Sequence, residues 1–261
     1  MHLLFISLTC LAAITKATFP IPTELYSPVI TEKVLNTAHS FASQAPKYPH
    51  YTTPPPYNNK AGQWQYYPPA GSWTSGFFPA TLMLLAERAT KCPGGQLVSL
   101  PEAESALTYA CTWSAPLSKL TKINGIGHDV GFISFPFQDD LHRNPGSVAA
   151  QATVNAFAAF LAGRYSPVVG CTRSWDVSTP NYFQVIMDNM INIDIFFMAN
   201  ENSTVYRNMA ISHADRTIKN HVRADGSTFH MVIYSSRDGT VTARKTAQGY
   251  ADNSTWMRGQ A

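Results

Sequence analysis

The sequence predicts a mainly α domain built from stacked helical hairpins, with one small β-hairpin inserted. Three observations carry that reading. Apolar residues recur at helical spacing through most of the chain. Only STFHMVIYSS and TVTARKTA, joined through Arg237-Asp238-Gly239, combine a strong turn signal with strand-forming residues. No βαβ alternation or internal repeat is present, and the glycine- and proline-bearing loops between helical stretches suit helix-on-helix stacking.

Taken in order, PVITEKVLNTAHSFASQ is expected as a first helix, followed by a Pro/Tyr-rich loop from Pro46 to Pro69. SWTSGFFPATLMLLAERAT forms a second helix, stopped by KCPGG. LPEAESALTYACTWSAPLSKL is a third, and NPGSVAAQATVNAFAAFLAGRY a fourth, with Pro145 near its start. YFQVIMDNMINIDIFFMAN reads as a fifth helix, whose wet face carries Asp188, Asn192 and Asn189. STVYRNMAISHADRTIKNH is a sixth, opened by Ser/Thr capping residues.

The 261 residues are 45% hydrophobic, enough for one large domain with a real core. Lys and Arg total 19 against 16 Asp and Glu, and with no basic block the charge gives nucleic-acid binding no support. Residues 1–17, with an apolar run from Leu3 to Ile14, are expected to be a signal peptide cleaved after Ala17, which leaves 18–261 as the domain. The run is too short to span a bilayer, and no later stretch is long and uncharged enough to do so. A secreted, extracellular protein is therefore expected, with sequons at Asn202 and Asn253. Once Cys10 leaves with the leader, Cys92, Cys111 and Cys171 remain, an odd number that cannot be fully paired within the chain. There is no Cys/His spacing for a zinc site, so no metal is expected.

Aromatic residues make up 12% of the chain and fall beside polar ones, as in QWQYYPP, SWTSGFF, RSWD and STWMRGQ. Sugar clefts have this character, because rings stack on the apolar face of a sugar while polar groups meet its hydroxyls; an aromatic core is the plainer alternative for any single Trp. Five such stretches fall where helices should end: Ser72 to Phe78, Gly127 to Phe132, Arg173 to Trp175, Phe229-His230 and Gln248 to Gln260. Singly, Asp129 reads equally well as a turn cap, His230 as a structural histidine, and Trp256 with Arg258 as a surface cation–π pair. The aspartate at 188, inside VIMDNMINIDIFF, is the other anomaly, since an ionised carboxylate among apolar residues is costly unless paired.

Together, SWTSGFFPATLMLLAE, HDVGF, RSW, VIMDNMINIDIFFMA, HVRADGSTFH and TAQGYADNSTWMRGQA resemble the unsaturated glucuronyl hydrolases of glycoside hydrolase family 88, from about Trp73 to the last residue and in the family's order. The resemblance implies an (α/α)6 toroid with a central cleft, of which this chain supplies roughly the first half to two-thirds. It implies substrates ending in a 4,5-unsaturated uronic acid, and hydration of the ring's vinyl ether without any cofactor. By the family's pattern Asp188 is the general acid/base and Asp129 the second essential carboxylate, while Asp194 has no match and is left as helix surface or a structural partner. His230, Gln248 and Arg258 match cleft-lining positions, and Trp175 and Trp256 are candidates to stack on the sugar.

Two features depart from the family. The chain stops at RGQA, where relatives continue with further helices, and a glycan on Asn253 would crowd the cleft. Two rival readings are a related hydrolase for unsaturated rhamnogalacturonides and a non-catalytic sugar-binding remnant.

Overall fold

The computed structural model describes residues 22, 27–44, 47–53, 62–69, 72–91, 98–122, 126–176, 179, 181–246 and 248–255. The expected leader, Cys92, Trp256 and Arg258 lie outside these described residues. Seven helices are present among the described residues: α1 (Val29–Phe41), α2 (Phe77–Lys91), α3 (Leu100–Ser114), α4 (Val130–Arg143), α5 (Val148–Ala162), α6 (Ile193–Met198) and α7 (Ser203–His221). None of the described helices is long and apolar enough to cross a membrane.

The helices form successive hairpins. α2 packs on α4 and α4 on α6, and these three are backed by α3, α5 and α7. Local sequence explains most boundaries. Ser99 and Glu102 close a capping box at the start of α3, with a proline in its first turn. Ser147 caps α5 by accepting from the Ala150 amide. The core between the layers is a single cluster in which Leu82, Ala106, Trp113, Val130, Val154, Phe157, Leu161, Ile195 and Ala210 are all fully buried. Trp113 also ties the N-terminal segment to that core: its indole N–H donates to the Lys47 carbonyl at 3.0 Å, and the Tyr48 hydroxyl donates to the Trp113 carbonyl. Truncation of such a ring to Ala costs about 3–5 kcal/mol.

Three departures from the sequence reading matter for function. First, α4 is not among the six helices that the apolar spacing predicts, and Pro136 falls within it. A proline removes the amide that would bond four residues back, to the Phe132 carbonyl. That carbonyl lies where a 3₁₀ turn over Trp73–Gly76 meets α4; a Cβ on Gly76 would stand 2.0 Å from it, so only glycine allows this approach. Second, the Pro/Tyr-rich stretch expected as a loop carries two antiparallel strands, β1 (Tyr48–Thr52) and β2 (Trp64–Tyr67).

Third, the expected fifth helix is not one helix. Phe183–Ile186 is a strand, Met187–Asn192 a 3₁₀ turn, and only Ile193–Met198 is α-helical. The strand forms because a partner exists: counting the two-residue strands Tyr165–Ser166 (β3) and Cys171–Thr172 (β4), it is β5, and it pairs antiparallel with β6 (Met231–Tyr234), which pairs with β7 (Val241–Lys245). The expected hairpin is therefore two-thirds of a three-stranded sheet, turning at Gly239 with φ of +71°.

Candidate active site

Asp129 is the residue immediately before α4, yet its side chain makes no capping bond to that helix. Asp188 is the second residue of the 3₁₀ turn that follows β5, half-exposed at the junction of strand and turn. The expected wet face is turned around: Asn189 and Asn192 are fully buried, while Asp188 reaches toward solvent. Asp194 is exposed in the first turn of α6.

The two aspartate-bearing segments are in direct contact. The Gly131 amide donates to Asn192 Oδ1 at 2.8 Å, and a Cβ on Gly131 would stand 2.2 Å from Ile191 Cγ2. Burial pushes the Asp129 carboxyl above the usual aspartate range; His128 and Arg164 oppose that rise, and the charge of Asp188 adds to it. Asp188 is thus within electrostatic reach of Asp129.

His128 is buried, with Nδ1 2.9 Å from the Ser174 carbonyl and Nε2 3.3 Å from Asp129 Oδ1. A carbonyl only accepts, so Nδ1 carries a hydrogen, and in the neutral ring Nε2 is then a bare lone pair. Its 3.3 Å contact with Asp129 is then an ion pair when the ring is protonated. Trp175, half-buried, packs T-shaped against the His128 ring at 5.4 Å between centroids.

Behind these groups lies a buried polar scaffold. Ser174 Oγ accepts from the Ile186 amide at 2.8 Å and donates to Asn189 Oδ1 at 3.0 Å, and Asn189 Nδ2 donates to the Thr172 carbonyl at 2.8 Å. Thr172 in turn donates its amide to His213 Nδ1 at 3.1 Å, on α7. Arg164, buried, donates to the Ser174 carbonyl and to both oxygens of Asp176. Partial desolvation would raise Asp176, but Arg164 and Arg173 outweigh it and hold the carboxyl below its usual range. Buried hydrogen-bonded networks favour one geometry, because each broken bond costs the desolvation of its donor or acceptor.

The remaining expected site residues fall around this centre. The His230 carbonyl accepts the Met187 amide at 2.9 Å, and its buried ring places Nδ1 3.4 Å from Thr246 Oγ1. The Gln248 amide donates to the same hydroxyl at 3.1 Å, with Gln248 itself exposed. His128, Arg164, Asn189 and Asn192 escaped the sequence reading. His128 had a signal, its place beside Asp129 in HDVG; the asparagines were hidden by the assumption that polar residues at helical spacing face water.

No family model matches the chain. An unsaturated glucuronyl hydrolase from Formosa agariphila is 35% identical over 197 residues, 74% of this chain and 46% of the relative. An unsaturated chondroitin disaccharide hydrolase from Streptococcus agalactiae serotype III is 35% identical over 153 residues, 56% of this chain and 38% of the relative. Among solved structures, an unsaturated glucuronyl hydrolase specific for heparin superposes with a TM-score of 0.71 at 25% identity, covering 90% of this chain and 59% of its own. That of Bacillus sp. GL1 gives 0.73 at 21% identity, a likeness of fold. The chain spans about half the length of the curated relatives it matches. In fold it is part of an α/α toroid. Relatedness in sequence and architecture agree: the chain belongs to the unsaturated glucuronyl hydrolase family.

Proposed function

We propose that this chain carries the acid–base centre of a glycoside hydrolase acting on oligosaccharides with a 4,5-unsaturated uronic acid at the non-reducing end. The observation that carries it is the pairing of Asp129 and Asp188 on two segments clamped together through Gly131 and Asn192, with Asp129 held above the ordinary aspartate range by burial and by Asp188. A carboxyl held above its ordinary range beside a second carboxylate is an arrangement suited to acid–base work.

On this reading Asp188 delivers a proton to carbon 4 of the vinyl ether. Positive charge develops at carbon 5 and the ring oxygen, where a nearby carboxylate lowers its energy. Water adds at carbon 5 and gives its proton back to Asp188, so the acid is regenerated. The resulting hemiketal opens and releases the remaining sugar. Asp129, with the His128 ring beside it, orients substrate or water. Gln248 and Arg258 meet hydroxyl and carboxylate groups of the sugar, Arg by its planar fork, while Trp256 supplies a stacking ring. His230 and Trp175 line and support the cleft. No metal or organic cofactor has a step to perform. The same reading routes the chain through secretion on a leader at residues 1–17, to meet the products of polysaccharide lyases outside the cell.

The test is the loss of ultraviolet absorbance of an unsaturated disaccharide on incubation with the protein. Parallel trials with unsaturated glucuronide, galacturonide and rhamnogalacturonide substrates rank the leaving sugars. Binding without turnover on all three would overturn the hydrolase reading and leave a sugar-binding remnant.

A further inference from the structure

The first-turn amides of an α-helix have no partner within the helix, and the residue before the helix normally supplies an oxygen to the second or third of them. Aspartate is among the best residues for that role. In α4 the residue so placed is Asp129, and it does not perform it. The second amide of the helix, that of Gly131, donates to Asn192 Oδ1 instead, at 2.8 Å. Asn192 is fully buried, comes from the turn that bears Asp188, and makes no capping bond to its own helix α6. Among the described residues its Nδ2 has no partner, so the Gly131 bond is the one polar contact found for this side chain.

We propose that Asn192 is a positioning residue: it caps α4 from another segment and so releases the Asp129 carboxylate to face Asp188 and His128. The amide cannot turn over, because its NH₂ would then oppose the Gly131 N–H. The same contact fixes the spacing of the two aspartates, since Gly131 has no side chain and Ile191 packs directly on its α-carbon. The inference rests on the reading of Asp129 and Asp188 as a functional pair. It adds that a neutral amide four residues after the acid/base is what holds the pair open.

The experiment needs no turnover. The Asp129 carboxyl is followed by carbon-13 NMR through a pH titration in the parent chain, Asp188→Asn, Asn192→Leu, and the double variant. The groups that face Asp129 are His128, Asp188 and Arg164, and all but Asp188 stay constant through the series. In the parent, Asp129 titrates above ordinary aspartate, and Asp188→Asn moves it down. Absence of that movement sinks the pairing, and with it the function proposed above. In Asn192→Leu, Asp129 swings onto the free Gly131 amide, its titration falls below ordinary aspartate, and Asp188→Asn no longer shifts it. If the Asp129 titration and its response to Asp188→Asn are unchanged in Asn192→Leu, the cap has no positioning role, although the pair stands. Should the leucine variant fail to fold, Asn192→Asp decides: it retains the acceptor, keeps the Gly131 amide slow to exchange, and raises Asp129 further by adding a third carboxylate. A fall in Asp129 on Asn192→Asp would overturn the proposal.

Discussion

The two ends of α4 make an instructive pair. Each carries an aspartate whose carboxyl lies above the usual range: Asp129 just before the first turn, and Asp139 in the last, pushed up to about 6. Burial is the main cause at both ends. At the C-terminal end, Asp139 is opposed by His142 and Arg143 and pushed further by Glu87 on α2; the helix dipole also disfavours an anion there. At the N-terminal end the dipole favours the anion, yet Asp129 is still raised and its side chain accepts no amide of the helix. The difference lies in what surrounds them: Asp129 is within electrostatic reach of a second carboxylate and 3.3 Å from a buried imidazole, whereas Asp139 has the half-exposed Glu87 and the exposed His142 and Arg143 around it. A perturbed carboxyl alone does not mark a site; a perturbed carboxyl with converging partners does.

The sharpest way to break that contrast is to neutralise each aspartate in a form that turns over unsaturated disaccharide. Asp188→Asn removes the group that acts in both proton transfers, and turnover should fall by about 10⁴-fold, the upper end for general acid–base groups, with substrate still bound. A variant keeping a tenth of the parent rate would contradict its role. Asp129→Asn should abolish most activity with little change in melting temperature, because Asp129 caps nothing that Asn192 does not already cap. It should also move the acidic limb of the pH–rate profile. Asp139→Asn should leave the rate and the profile unchanged, and a comparable loss there would erase the distinction between the ends.

Acid unfolding gives the next largest effect, and it comes from neither end of α4. His213 and His221 on α7 are buried neutral, pushed down to about 3 and about 4 chiefly by burial. The unfolded chain takes up these protons near pH 6.5 and the folded chain does not, so stability falls as pH drops from 6.5 toward 4. The slope is up to about 2.7 kcal/mol per pH unit for two groups. Melting temperature followed from pH 7 to 4.5 should fall steeply, and His213→Gln should flatten the curve. An unchanged slope would place the acid lability elsewhere.

The smallest effect is the stability counterpart of the first comparison. A carboxyl raised in the folded state binds its proton more tightly there, so it destabilises the fold increasingly from pH 3.8 to about 6 and by a constant amount above. Asp139→Asn should therefore stabilise the chain at pH 7, by on the order of 1 kcal/mol once solvent screening is allowed for. Denaturant midpoints at pH 7 measure it, and a destabilised variant would mean that the carboxylate has an unrecognised partner.

Local sequence was enough for the helical class, the spans of α1, α5 and α7 within a few residues, the start of α3, the β6–β7 turn at Gly239, and the family. Those features are written locally, in apolar spacing, Ser caps and Asp-Gly. Tertiary structure decided the surroundings of the two aspartates. α4 forms across Pro136 because buried neighbours on α2, α5 and α6 hold it, and no local pattern announces that support. Residues 183–186 are a strand because Val185 pairs with Val232, far along the chain, and a propensity common to strand and helix is settled by whichever partner is present. The roles of Asn189 and Asn192 follow from the same cause. In an isolated helix they would face water; in the folded chain they are buried where the Thr172 carbonyl and the Gly131 amide need partners, because an unmade hydrogen bond in the interior costs the desolvation of its donor or acceptor, while the half-exposed carboxylate of Asp188 keeps part of its hydration.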